Sequence, residues 1–312
     1  MKPWSLSELP RLDDRRVLVT GAASGIGFAV AQALATRGAV ITLVDRDATR
    51  LAAAQQRIGQ AVPGARLIPA AVDLLDRAAI RDFAARDAGS GPLDLLFNIA
   101  GILPPPQRRL SPDGIELGFA ISVLGHHALT MGLLPALLAA EAPRVISISS
   151  ITHPRGEIFF DDLALSRRYD SQLAYRQTKL GALLWSQQLH RLAQAAGSRL
   201  RSVAAHPGVA RTALADQHLS GPRPGLRARL EMQVLAMFMG LMGQDAAAGA
   251  LPLLRAAIDP AAVGGSYWGP DGFGECRGAP APARIAARAS DAMVAARLWQ
   301  RCEALTGERL RF

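Results

Sequence analysis

Short apolar runs alternate with alanine-rich segments of helical period along most of the chain. An apolar run at 17–20 precedes a helical pattern at 28–37, which ends at Gly38, and a second apolar run covers 40–44. Buried strands read as short continuous apolar runs, whereas helices repeat their apolar positions every three to four residues. This pattern predicts a strand–helix–strand unit, whose two strands are parallel.

The alternation continues over the rest of the chain. Further helices are predicted at 51–58, 77–89, 117–140 and 175–196, and further strands at 65–74, 93–101, 143–150, 200–209 and 264–269. Strands that alternate with helices favour an α/β fold with a doubly wound parallel sheet of the Rossmann type and helices on both faces. We therefore expect an N-terminal tail at 1–14 and a single domain over 15–312.

Two long irregular segments, 151–173 and 213–243, follow strand ends. Ligands of open α/β sheets bind beyond the carboxyl ends of the strands, so we expect both insertions to border the substrate. The stretch 231–243 is rich in methionine and leucine. It is either a lid over an apolar substrate or an amphipathic core helix.

Composition disfavours two classes of protein. The net charge is +9, but the arginines are scattered without a long basic run, which argues against nucleic-acid binding. The stretch 117–140 carries no charge and is long enough to span a bilayer. Polar residues are spread through it, however, so a buried core helix is the better interpretation and no membrane span is expected.

The remaining composition indicates a protein of a reducing compartment. Half of the 312 residues are hydrophobic, which is enough for a substantial core. Cys276 and Cys302 are too few for a disulfide framework and lack the spacing of a metal site. The N-terminus has no apolar segment typical of a signal peptide. We expect a cytoplasmic protein without a metal.

A glycine-rich loop connects the first strand to the first helix, with Gly21, Gly25 and Gly27 in the sequence TGAASGIG. The first glycine permits a sharp turn, the second a close approach of a diphosphate, and the third tight packing of helix on strand. The helix N-terminus offers N–H groups and partial positive charge to phosphates. This context predicts a dinucleotide site, to which Ser24 and Ile26 also belong.

The end of the second strand carries Asp45 and Arg46. A carboxylate at this place can accept both ribose hydroxyls of adenosine and would repel a 2′-phosphate. Arginine could instead pair with a 2′-phosphate or stack on adenine. The charge of Asp45 favours NAD, with NADP as the alternative.

Six motifs follow one another along the chain: TGAASGIG at 20–27, VDL at 72–74, NIAG at 98–101, SISS at 147–150, YRQTK at 175–179 and HPGVART at 206–212. In this order and spacing the chain resembles the short-chain dehydrogenase/reductase family from residue 15 to about 215. The chain also resembles the retinol-dehydrogenase-like branch of this family. The features that carry this resemblance are LGHHALT at 124–130, the long gap between Ser150 and Tyr175, and a tail with YWGPDG at 267–272 and RLWQRCEALTG at 297–307.

The resemblance implies roles for the residues that match. Tyr175 would be the general acid/base, Lys179 would hold the nicotinamide ribose and lower the tyrosine pKa, and Ser150 would hydrogen-bond the substrate oxygen. The cofactor would also be lined by Asp73, Leu74, Asn98, Ala100 and Gly101, and at its carboxamide end by Pro207, Gly208, Val209 and Thr212.

The chain departs from the family pattern on the long helix. Where the family usually has asparagine in a motif resembling V-N-x-L-G-H, this chain reads ISVLGHH with Ser122 at that position. The asparagine holds a water that links the lysine to solvent as a proton relay. A serine hydroxyl is shorter but can also donate and accept hydrogen bonds. Ser122 is therefore a candidate catalytic residue, and we expect the change from asparagine to affect the reaction rate and not the fold.

The spacing of Tyr175 and Lys179 puts both side chains on one face of a helix. Free tyrosine has a pKa of about 10, and lowering it towards 7 requires about 4 kcal/mol. A nearby ammonium and a positive nicotinamide ring can supply this. Only Lys2 and Lys179 are lysines among 35 basic residues, which indicates a demand for a compact ammonium that arginine does not meet.

We expect an NAD(H)-dependent oxidoreductase that interconverts a primary or secondary alcohol and the aldehyde or ketone of a bulky apolar substrate. The alternatives are an enone C=C reductase, with the same tyrosine protonating carbon, and a non-catalytic NAD-sensing binding protein. His153 is a candidate substrate contact, with a turn-stabilising role as its alternative. The oligomeric state stays open between a homodimer and a homotetramer.

Overall fold

The computed structural model describes residues 4–210 and 243–312, and their strands form one eight-stranded sheet. The strands are β1 (Arg16–Thr20), β2 (Val40–Asp45), β3 (Arg66–Ala71), β4 (Leu95–Asn98), β5 (Arg144–Ile148), β6 (Arg201–Ala205), β7 (Tyr267–Pro270) and β8 (Pro280–Pro282). Their spatial order is β3-β2-β1-β4-β5-β6-β7-β8. Every neighbouring pair is parallel except β7 with β8. The prediction of a doubly wound, mainly parallel sheet is confirmed.

Helices cover both faces of this sheet. They are α1 (Gly25–Ala35), α2 (Ala48–Ala61), α3 (Arg77–Ala88), α4 (Leu117–Ala139), α5 (Ser171–Ala195), α6 (Ala246–Ile258) and α7 (Ala292–Thr306). One apolar layer joins the sheet to α3, α4, α5 and α7, and the other joins it to α1, α2 and α6. Five of the helices begin at an aspartate whose carboxylate accepts N–H groups of the first turn, which fixes their starting points.

The chain reverses its direction of winding between β1 and β4. It proceeds outward from β1 through β2 to β3, then returns to pair β4 with the other side of β1. Loops that leave neighbouring strands in opposite directions open a crevice at the carboxyl edge of the sheet. The glycine loop after β1 and the segment 98–101 after β4 border this crevice, which places both predicted cofactor motifs together.

Several predicted boundaries differ from the structure, and three of them concern elements that carry candidate site residues. α1 begins at Gly25 instead of 28, and β3 ends at Ala71 instead of 74, where its partner strand β2 also ends. α5 begins at Ser171 instead of 175, because the Asp170 side chain accepts the N–H groups of the first turn. Tyr175 therefore lies in the second turn of the helix, where the backbone is fully hydrogen-bonded.

The hydrophobic pattern did not predict α6, α7 or β8. Pro252 lies inside α6, and a proline within an apolar run usually argues against a helix. β8 has proline at both ends, which is tolerated because it is an edge strand. Thr212 and the greater part of the predicted insertion at 213–243, including the proposed lid, lie outside the described residues.

The long apolar helix is a core element. α4 has the length and composition to cross a membrane, but 89% of its most apolar window is buried inside the protein. It changes to π-helical geometry over Ala120–Gly125 before it resumes as a regular helix. Such wide turns often accompany functional sites, and this one carries Ser122.

The tail of the chain seals the layer around α4 and α5. Trp299 of α7 stacks on Trp185 of α5, with ring centroids 5.7 Å apart, and both rings are buried. Trp185 Nε1–H donates to His127 Nδ1 at 3.0 Å, so the proton of His127 is on Nε2, which donates to the Glu308 carbonyl at 3.0 Å. The tail is therefore tied to the core by aromatic packing and by directed hydrogen bonds.

Removing the Trp299 ring should destabilise the protein strongly. Trp299→Ala should lower the free energy of unfolding by about 3–5 kcal/mol, because it deletes a large buried side chain and leaves a cavity. Met293 lies on the same helix with 81% of its surface exposed, so Met293→Ala is the matched control and should change stability by less than about 0.5 kcal/mol. Urea unfolding measures both variants, and equal effects would contradict the assigned packing.

Candidate active site

Backbone geometry makes glycine necessary in the loop after β1. Gly21 and Gly25 have φ of +69° and +58°, in the left-handed region that favours glycine. A Cβ on Gly27 would lie 2.2 Å from the Gly21 carbonyl oxygen, and one on Gly21 would lie 3.0 Å from Ala100 Cα. The glycines therefore bring α1, the loop and the end of β4 into direct backbone contact.

The loop fits a dinucleotide phosphate. The Ser24 side chain makes no capping bond at the start of α1, so it does not occupy the N–H groups of the first turn, which bind phosphates in such loops. Asp45, at the end of β2, accepts the N–H groups of Ala23 and Asp47 at 3.3 Å each. These long contacts orient the carboxylate and leave it acceptor capacity for ribose hydroxyls. Arg46 is exposed beside it.

The Thr20 hydroxyl joins the elements around the crevice. Its oxygen accepts the N–H groups of Ile99 at 2.8 Å and Ala100 at 3.0 Å. His126 Nδ1 donates to the Ser122 carbonyl at 2.9 Å, so its Nε2, 2.9 Å from the Thr20 hydroxyl, is an acceptor. Burial lowers the pKa of His126 to about 4, which keeps the ring neutral near pH 7.

Ser122 lies above the cofactor loop. Its hydroxyl oxygen would be 2.8 Å from a Cβ on Gly101, so the π-helical turn and the loop after β4 approach each other closely at this point. Ser122 and His126 also line a small buried cavity in which Asn98 Oδ1 and Ser147 Oγ have no protein partner. A polar cavity of this kind suits an ordered water.

Ser150 follows β5, and its side-chain oxygen accepts hydrogen bonds from the turn in which it lies. The Thr152 N–H donates to Ser150 Oγ at 3.2 Å and the Thr152 hydroxyl at 3.1 Å. A hydroxyl oxygen has two lone pairs, and both are used here. The hydroxyl proton of Ser150 is therefore the group left to donate, next to Tyr175.

Tyr175 and Lys179 lie on the same face of α5. Lys179 Nζ lies 5.7 Å from the centre of the Tyr175 ring, and the helix is anchored to β5 because Ser149 Oγ donates to the Lys179 carbonyl at 2.7 Å. Burial raises the pKa of Tyr175, and contact with the Ser150 hydroxyl lowers it by less. Burial also lowers the pKa of Lys179 to about 8.

Other predicted residues occupy the same edge of the sheet. Asp73 Oδ1 accepts the Leu75 N–H at 2.9 Å, and Leu74 is buried below it. After β6, the Pro207 carbonyl accepts Gln244 Nε2–H at 2.7 Å, and the Val209 N–H donates to the Cys276 carbonyl at 2.8 Å. These contacts fix the backbone of the loop expected to receive the carboxamide end of the cofactor.

His153 is buried and both ring nitrogens are engaged by the protein. Nδ1–H donates to the Ser150 carbonyl at 2.9 Å, and Nε2 accepts the Ala286 N–H at 3.2 Å. This is the arrangement of a turn-stabilising histidine and leaves the ring no free atom for a substrate.

Sequence reasoning missed three contributors to the site. Thr20 bonds to Ile99 and Ala100, which are far away in the sequence, and leaves no local signal. Thr152 is close to Ser150 and bonds to its hydroxyl oxygen, which is a recognisable local signal. Glu275 carries no such signal, because it reaches His206 from a distant part of the chain.

Similarity to known proteins is extensive. A sequence model described as short chain dehydrogenase matches residues 15–222. Human retinol dehydrogenase 13 is 35% identical over 298 residues, which cover 94% of this chain and 85% of that protein. Human polyprenol dehydrogenase is 33% identical over 208 residues, covering 65% of this chain and 63% of that protein. The crystal structure of an uncharacterized protein from Mycobacterium paratuberculosis is 33% identical, with a TM-score of 0.79 and full coverage of both chains.

The buried ammonium of Lys179 should make stability depend on pH. Its folded pKa of about 8 lies below the ordinary value of 10.5, so the unfolded chain binds this proton more tightly. Burial of the cation therefore costs stability in full below pH 8, and the cost vanishes as the pH rises to 10.5. The unfolding free energy of wild type relative to Lys179→Met should rise by about 3 kcal/mol over this window.

Urea unfolding of both proteins between pH 7 and 10.5 measures this difference, in which titrating groups that do not interact with Lys179 cancel. A difference that does not change with pH would show that the ammonium is solvated in the folded protein.

Proposed function

Because the chain belongs to the short chain dehydrogenase family, we propose that it interconverts a primary or secondary alcohol and the corresponding aldehyde or ketone with NAD(H). Family membership and its dehydrogenase relatives make the chain an oxidoreductase, and a nicotinamide dinucleotide is the cofactor that this family implies. The observation that carries the proposal is the convergence of Ser150, Tyr175 and Lys179 beside the glycine loop.

Each of these side chains has a task in the proposed reaction. When bound, NAD⁺ supplies the acceptor for a hydride from the alcohol carbon. Ser150 donates its one free proton to the substrate oxygen and orients it, and Tyr175 takes the hydroxyl proton of the alcohol as general base. In the reverse direction the same phenol protonates the developing alkoxide.

The ammonium of Lys179 stabilises the phenolate form of Tyr175. Within the protein, burial raises the pKa of Tyr175 above its ordinary value. The positive charges of Lys179 and of the oxidised nicotinamide ring favour the phenolate and oppose this effect. The residues that the ring would approach are those at the end of β6, Pro207, Gly208 and Val209.

Charge at the end of β2 supports NAD over NADP. The Asp45 carboxylate has acceptor capacity for ribose hydroxyls and would repel a 2′-phosphate. The neighbouring Arg46 is exposed and makes NADP the competing cofactor. A bulky apolar substrate is supported by the relatives named for retinol and polyprenol, both large apolar alcohols.

Replacing the phenol should separate binding from chemistry. Tyr175→Phe should bind NADH with unchanged affinity and lose turnover by about 10³-fold, because the general base is removed. Tyr169→Phe is the matched control, since Tyr169 donates its hydroxyl to the Pro105 carbonyl; this variant should keep its turnover. Alcohol oxidation retained by Tyr175→Phe would overturn the assigned base.

A panel that crosses two cofactors with alcohols of increasing apolar size tests the finer proposal. The ratio kcat/KM should be at least about tenfold higher with NAD than with NADP, equivalent to roughly 1.4 kcal/mol. It should also rise from ethanol to long-chain and terpenoid alcohols, since each buried methylene adds about 0.8 kcal/mol. Equal efficiency on ethanol would contradict the apolar substrate, and saturation of an enone C=C bond would favour the reductase alternative.

A further inference from the structure

A segment of the tail, residues 273–289, contacts both loops that flank the candidate reaction centre. One loop follows β5 and carries Ser150, and the other follows β6 and carries Gly208. The segment lies beyond residue 222, where the match to the family ends. Its contacts are therefore features of this chain that the family match does not assign.

On the cofactor side the segment acts through a buried histidine. His206 Nδ1 accepts the Gly208 N–H at 3.2 Å, so the proton of the neutral ring is on Nε2, which donates to Glu275 Oε2 at 3.1 Å. Glu275 Oε1 accepts the Arg284 N–H at 3.0 Å. Both carboxylate oxygens are thus engaged, and a bonded chain runs from the tail to the Gly208 backbone.

Close packing leaves the Gly208 loop no room to move towards the tail. Gly208 has φ of +63°, and a Cβ there would lie 2.3 Å from the Cys276 carbonyl oxygen. Glu275 itself adopts φ of +56°, a left-handed conformation that is unfavourable for a residue with a side chain. Such a conformation persists only where surrounding contacts hold it, and here these contacts include the bonds to His206 and Arg284.

On the substrate side the segment acts through the other histidine. His153 joins the Ser150 carbonyl to the Ala286 N–H, with distances of 2.9 Å and 3.2 Å. Arg288 adds a second tie, since its Nη1–H donates to the Gly156 carbonyl at 2.7 Å. The backbone that carries the Ser150 hydroxyl is therefore set by the tail as well as by β5.

One aromatic ring connects the two sides. The buried Tyr267 meets the His153 ring edge-on at 5.2 Å and packs tilted on the His206 ring at 5.1 Å. The three rings form a continuous cluster below the two loops. A shift of either histidine would have to displace the Tyr267 ring as well.

We propose that residues 273–289 brace the active site. Glu275 positions the Gly208 loop after β6 through His206, and Ala286 positions Ser150 through His153. Both histidines and Glu275 are positioning residues, because they act through the backbone of the loops. The assignment of cofactor and substrate to these two loops rests on the proposed function. The hydrogen bonds between the loops and residues 273–289 do not depend on it.

The cofactor side is tested by measuring the Kd of NADH from its fluorescence, without an alcohol. Glu275→Ala should raise this Kd about tenfold, as expected for the loss of one charge-assisted hydrogen bond, with less than a threefold change in kcat. Glu275→Gln should recover part of the affinity, because its amide oxygen still accepts His206 Nε2–H, whereas its NH2 group cannot accept the Arg284 N–H. Glu303→Ala is the matched control: Glu303 accepts Trp299 Nε1–H in the same tail, so the loss of this bond should lower the Tm without changing the Kd.

The substrate side is tested by turnover. His153→Ala should lower kcat about tenfold and leave the NADH Kd within twofold, because it frees the Ser150 carbonyl while His206 keeps its hydrogen bonds to Gly208 and Glu275. His153→Asn should restore part of kcat, since its side-chain N–H can donate to that carbonyl. A fall in kcat equal to that of Glu303→Ala would overturn the substrate side.

The brace and the proposed function fail in different ways. Wild type that binds NADH but oxidises no alcohol contradicts the proposed function alone, and the Kd of Glu275→Ala still decides the brace. An unchanged NADH Kd in Glu275→Ala overturns the brace, whether or not wild type turns over an alcohol.

Discussion

The hydrogen-bonded junction at Thr20 is the interaction on which the site depends. One buried hydroxyl ends β1, holds the two N–H groups that follow β4, and meets the neutral His126 ring of α4. A parallel sheet brings strand ends together but does not fix the loops that leave them. The junction supplies that fixation at the point where the winding of the sheet reverses.

Burial acts on the two central ionisable groups in opposite senses. It opposes the phenolate of Tyr175 and the ammonium of Lys179, since each charged form loses water. The pair therefore gains most from ionising together, when each charge compensates the desolvation of the other. This coupling gives a physical reason for a lysine in a chain that otherwise uses arginine, because a compact ammonium fits this buried position.

Sequence alone predicted the parts of the site that local spacing determines. The glycine loop, Asp45 and the Tyr175–Lys179 pair follow from strand ends and helical period. The structure begins α5 four residues earlier than the hydrophobic period predicted, because the Asp170 side chain caps the helix at that point. α6 contains Pro252, a local signal that argues against a helix. The hydrogen bond between His206 and Glu275 joins positions far apart in sequence and leaves no local signal.

The position of the brace late in the chain has a consequence for biosynthesis. The glycine loop, Ser150, Tyr175 and Lys179 have all left the ribosome well before residues 273–289 emerge. During that interval the chain can form the layer of α1, α2 and α6, while the other layer still lacks α7 and the loops after β5 and β6 still lack their partners from the tail. A nascent chain would thus contain the glycine loop and the side chains of Ser150, Tyr175 and Lys179 before the backbone around Ser150 and Gly208 has its final geometry.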